Sequence, residues 1–95
     1  MFLIEITYTR PIEEIEAKTA EHRAWLDERI AEGLLILTGP KVPRTGGFLI
    51  ARGGKSLEEV TAIMKQDPFA AHGLADYRIV EFAAGRINPA LAEFV

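Results

Sequence analysis

Apolar positions recur along this chain in two rhythms, one alternating and one helical. Phe2-Leu3-Ile4-Glu5-Ile6-Thr7-Tyr8 is dense in β-branched and aromatic side chains and predicts a first strand. Arg10-Pro11 ends it, and Pro11 suits the first turn of a helix. From Ile12 to Glu32 the period becomes helical, with Ile15, Leu26 and Ile30 close to one face, and Gly33 supplies the stop. Leu34-Leu35-Ile36-Leu37-Thr38 predicts a second strand, halted at Gly39-Pro40. Lys41 to Gly47 reads as a turn region, and Phe48-Leu49-Ile50-Ala51 as a third strand. Ser56-Leu57-Glu58-Glu59 has the form of a capping box. It opens a helix to about Gln66 whose apolar face is Leu57, Val60, Ile63 and Met64. Asp67-Pro68 breaks that helix, one further turn fits between Phe69 and His72, and Tyr77 to Phe82 predicts a fourth strand followed by a tail.

The order β-α-β-β-α-β is the ferredoxin-like plan, an α+β sandwich. Both parities of the strands carry apolar residues. Phe2, Ile4 and Ile6 oppose Leu3; Leu34 and Ile36 oppose Leu35 and Leu37; Phe48 and Ile50 oppose Leu49 and Ala51; Ile79 opposes Val80 and Phe82. Two helices cover only one face of such a sheet, so the second apolar face predicts a homodimer.

Length and composition then narrow the classes. Ninety-five residues make one domain, taken as 1–95, and 48% hydrophobic residues exclude a disordered tail. Eleven basic against fourteen acidic residues, net −3, with no basic run, exclude bulk attraction to nucleic acid or an anionic membrane surface. With no cysteine there is no disulfide, thiolate nucleophile or Cys-based zinc site. The longest apolar run, Leu34 to Leu37, is far too short to span a bilayer, and the expectation is a cytoplasmic protein.

Two residues stand out for chemistry. At 100° per residue, His22 lies at about −20° and Leu26 at about 20° from Ile15, which sets an imidazole within the apolar stripe. One reading is a core histidine held by a carbonyl; the other is a general acid or base, since imidazole exchanges protons near neutral pH. Asp67, before Pro68, fits a helix N-cap, and a capping carboxylate keeps a second oxygen with which to orient an imidazole. Trp25, at about −80°, falls at the stripe's margin and reads as packing. Gly39-Pro40 reads as a chain turn, Ser56 is used as a cap, and His72 reads as a solvated surface residue. Lys41 and Arg44 read as solvated loop charges, with attraction of an anionic substrate as the alternative. No His-x-x-x-His or similar spacing is present, so neither a metal nor a cofactor is expected.

One ordered set of features resembles a known family. His22, Leu26, Glu32-Gly33-Leu34-Leu35, Gly39-Pro40, Gly47, Ser56-Leu57-Glu58-Glu59, Asp67-Pro68-Phe69 and Gly73 before a last strand are similar to the YCII-related (YciI-like) domain family. The resemblance covers nearly the whole chain. It implies a ferredoxin-like fold that pairs as a dimeric α/β barrel, with His22 and Asp67 as a catalytic pair. It further implies a small-ligand pocket to which Gly39, Pro40 and Phe69 contribute. Some family members look like cofactor-free lyases of small organic rings. The expected function is therefore acid/base catalysis on a small organic molecule, with a non-catalytic ligand-binding or structural dimer as the alternative. A cofactor-free monooxygenase on the same barrel is a neighbouring possibility, for which Trp25 is of interest.

Overall fold

The computed structural model describes residues 1–95. Strand β1 (Phe2–Tyr8) leads through Pro11 into helix α1 (Ile12–Ala31), followed by β2 (Leu35–Pro40), β3 (Gly46–Ala51), α2 (Leu57–Met64), a single helical turn α3 (Pro68–Ala71) and β4 (Ala75–Glu81). The four strands form one antiparallel sheet in the order β2-β3-β1-β4, the ferredoxin-like arrangement expected from the element order.

Both long helices lie on one face. Phe2, Ile4 and Ile6 of β1, with Leu49 and Ala51 of β3, pack there against Trp25 and Leu26 of α1 and Val60 and Met64 of α2. Trp25 is thus a core residue, as its place in the helical pattern suggested. Helix α1 ends where Gly33 takes φ +85°, a left-handed conformation that glycine adopts without a Cβ clash. Helix α2 opens on a closed capping box. The Ser56 N–H donates to Glu59 Oε1 (3.0 Å) and the Glu59 N–H to Ser56 Oγ (3.1 Å). The Ser56 bonds hold the Glu59 carboxyl below its ordinary pKa.

Several boundaries differ from the sequence reading, and β4 starts two residues before Tyr77 and ends at Glu81. Strand β2 does not halt at Gly39-Pro40: both remain in the sheet, opposite Phe48 and Gly47. Because β2 is an edge strand, the N–H that proline lacks is not missed by a neighbour. Strand β3 correspondingly starts at Gly46. A Cβ at Gly46 would collide with the Ile6 carbonyl oxygen, and one at Gly47 would lie 2.8 Å from the Gly39 oxygen, so the strands close only over glycine. A register shift between Leu35 and Leu37 also breaks the predicted parity of β2. Leu35 pairs with Ala51 and is buried, whereas Leu37 pairs with Ile50 and is 60% exposed on the opposite face. The predicted tail contains a 3₁₀ turn, Pro89–Phe94, tied back by Arg52 to the carbonyl oxygens of Glu93 and Phe94.

The face away from the helices carries Leu3, Phe48 and Val80, all more than one-third exposed, beside the Lys41–Glu5 ion pair (3.1 Å). Near its β2 edge, Ile36, Leu37, Ile50 and Phe82 bound an apolar cavity of about 420 Å³ beneath residues 83–95. No helix is long and apolar enough to cross a membrane.

Candidate active site

The site is assembled around Asp67. This residue follows α2, and Pro68 behind it starts α3, so the Asp67 side chain serves as the cap of that turn, accepting from the Phe69 N–H (3.1 Å). It is completely buried. A buried carboxyl group is tolerated only when its oxygens find donors, and here three converge. Oδ1, besides the Phe69 amide, lies 2.7 Å from Nδ1 of His22; Oδ2 accepts from the Tyr77 hydroxyl at 2.5 Å. Burial first, then the Asp67 charge and this hydrogen bond, push the Tyr77 phenol far above its ordinary pKa, so it stays a donor.

His22 comes from the third turn of α1, on the side that meets α3, and its side chain is 12% exposed. Its ring stacks on Phe69, with centroids 3.9 Å apart and planes 12° from parallel, and Tyr8 meets Phe69 edge-on at 5.8 Å. One imidazole nitrogen is held by Asp67 and the ring plane is held by Phe69. Because Asp67 accepts in its other two bonds, Nδ1 is the protonated nitrogen and Nε2 the one left to meet a ligand.

The His22 side chain belongs to the wall of a cavity of about 240 Å³. Ile6, Gly47 and Leu49 form its sheet side, Thr19, His22 and Arg23 its α1 side, and Gly39, Pro40 and Arg44 its rim. All of the residues assigned to catalysis or ligand binding in the sequence therefore border one cavity, except Asp67, which stands behind the imidazole. His72 does not join them: it is exposed at the C-terminal end of α3. Lys41 does not either, since it pairs with Glu5 on the opposite sheet face. Arg44 does, reaching Thr19 Oγ1 (3.1 Å) and Tyr8 Oη (3.4 Å) across the rim. Trp25 is absent from the lining. No three His, Asp or Glu side chains are gathered where they could share a metal ion.

Sequence reasoning missed Tyr77, Tyr8 and Thr19. A signal for Tyr77 was present: it shares parity with Ile79, the helix-covered side of β4, where a phenol needs a polar partner.

An α+β sandwich with an imidazole–carboxyl contact in the wall of a small cavity is the architecture of a compact pocket protein, and comparisons specify which. The family model of the YCII-related domain matches residues 1–83, and the chain belongs to that family. No curated protein matches it significantly. Among solved structures, it is similar to 5-chloro-2-hydroxyhydroquinone dehydrochlorinase of Burkholderia phenoliruptrix AC1100, in complex with 2,5-dihydroxybenzoquinone. The two are 25% identical with a TM-score of 0.72, over 90% of this chain and 96% of the other.

Proposed function

We propose that the protein is a cofactor-free lyase of small organic molecules, with His22 as its catalytic base and Asp67 as the residue that orients and charge-compensates it. The observation that carries this reading is the 2.7 Å contact between Nδ1 and a fully buried Asp67 in the wall of a cavity. With Nδ1–H committed to the carboxyl group, Nε2 withdraws a proton from an O–H or C–H of the substrate. On a halogenated hydroquinone that proton is delivered to the halogen-bearing ring carbon, giving a ketone and a tetrahedral carbon. Removal of a second hydroxyl proton then forms a second C=O, shifts the ring C=C and expels halide with the electrons of its own bond. The imidazolium is stabilised by Asp67 until its proton passes to the ring carbon in the first step and to water in the second. The structural neighbour is a dehydrochlorinase of a chlorinated, hydroxylated ring, which supports this reading.

The direct test is chloride release from 5-chloro-2-hydroxyhydroquinone. Wild-type protein should turn this compound over, and His22→Gln should slow release by about 10²–10⁴-fold while a cooperative melting transition, at a lower midpoint, shows that the variant folds. Unchanged release in His22→Gln would overturn the assignment. Saturable binding of the ring without any release would favour a non-catalytic ligand-binding role.

We further propose that two copies pair through the sheet faces turned away from their helices, as in a dimeric α/β barrel. The exposed Leu3, Phe48 and Val80 on that face support it.

A further inference from the structure

The cavity beside His22 has an unbalanced charge. Two permanently charged side chains border it, Arg23 and Arg44, beside His22 with its own carboxyl partner, and not one aspartate or glutamate does. This occurs on a protein that carries fourteen acidic residues against eleven basic. Neither Arg23 nor Arg44 forms an ion pair, so no side-chain carboxylate balances either charge within 4 Å. Asp67 compensates His22 and neither arginine, because it is wholly buried and its oxygens are occupied by Phe69, His22 and Tyr77.

Arg44 is also held in place, unlike a free loop arginine. Its Nε and one terminal nitrogen donate to the hydroxyls of Tyr8 and Thr19, and its guanidinium carbon lies 5.8 Å from the Tyr8 ring centroid. Thr19 can accept because its own hydroxyl proton goes to the Ile15 carbonyl (2.8 Å). Both partners are neutral, so the arrangement fixes the direction of a positive charge without cancelling it. A guanidinium has five N–H donors, and two are used here.

We infer that the substrate of this site is a small organic anion, a single ring carrying a carboxylate or an acidic ring oxygen, and that Arg44, assisted by Arg23, is the residue that selects it. The inference rests on the acid/base reading for the identity of the site, yet it concerns affinity alone. A volume of about 240 Å³ limits the ligand to roughly one ring. The Phe69-backed imidazole gives that ring a flat surface to lie against. An anion placed between His22 and Arg44 would also stabilise the imidazolium formed when Nε2 takes its proton.

The test compares 2,5-dihydroxybenzoate with the uncharged 2,5-dihydroxybenzamide by titration calorimetry at low salt. The benzoate should bind about tenfold more tightly, the increment expected from one charge-assisted contact at an accessible site. In Arg44→Gln that preference should collapse towards unity while amide affinity holds, which also shows that the pocket is still folded. Raising the salt concentration should erode the preference in the wild type. Equal affinity for the two compounds, or a preference that survives in Arg44→Gln, would overturn the inference. His22→Gln should retain most of the preference, so loss of the proposed base and loss of anion selection are separately readable.

Discussion

Asp67 ties the turn that it caps, through the Phe69 amide, to His22 in α1 and Tyr77 in β4. Removing one of these donors leaves a buried acceptor unsatisfied, and Tyr77→Phe is the cleanest removal because it keeps the ring. It should destabilise the fold by about 1–3 kcal/mol at neutral pH. Its pH dependence has a definite sign. An unfolded tyrosine loses its proton near pH 10, whereas the folded Tyr77 phenol keeps it well beyond. The contribution of Tyr77 is therefore complete below about pH 10 and fades as pH rises further. The gap in denaturation midpoint between wild type and Tyr77→Phe should be wide at pH 8 and narrow at pH 11. A gap that is constant across that range would show that Tyr77 keeps no raised pKa in the fold.

The elements are held in register by positions where a side chain has no room. Gly46 is the sharpest case, because a Cβ there would meet backbone of β1 and not a flexible side chain. Gly46→Ala should therefore displace β3 from β1 and destabilise by about 3 kcal/mol or more, measured as a lowered urea midpoint. Gly39→Ala, where nothing lies within 4 Å, should be close to neutral and serves as the control. These glycines also mark the limit of what pattern alone discloses. Alternation of Phe2, Ile4 and Ile6, the capping box at Ser56 and the stop at Gly33 are local signals, and the corresponding elements stand where they place them. Gly46-Gly47 and Gly39-Pro40 look like punctuation in a single chain. Their strand conformation depends on neighbours distant in sequence, β1 and the partner edge. The register shift at Ile36 was hidden for the same reason. The nearness of His22 to Asp67 followed from topology, with both helices on one sheet face, whereas Tyr77 and Arg44 needed the actual geometry of β4 and of the 41–45 loop.

For the whole molecule, the sheet is a divider with unequal sides: one packed by helices, the other bearing exposed apolar side chains around an ion pair. A second copy laid on that side should bury on the order of 2,000 Å² in total, the range of obligate pairs. Sedimentation equilibrium at micromolar concentration should give a mass twice that of the 10.5 kDa chain. A stable folded monomer there would exclude the pairing. Leu3→Glu, an exposed substitution, should shift the equilibrium towards monomer without unfolding the protomer.

The bond from the Phe69 amide to Asp67 makes that single N–H a gauge of the site. Its hydrogen leaves for solvent only when the turn of α3 opens, and that opening also releases the carboxyl oxygen shared with His22. Occupancy of the cavity, which this same ring borders, must then slow deuterium uptake at one amide in proportion to ligand saturation. That amide thus reports occupancy for any compound, whether or not it reacts.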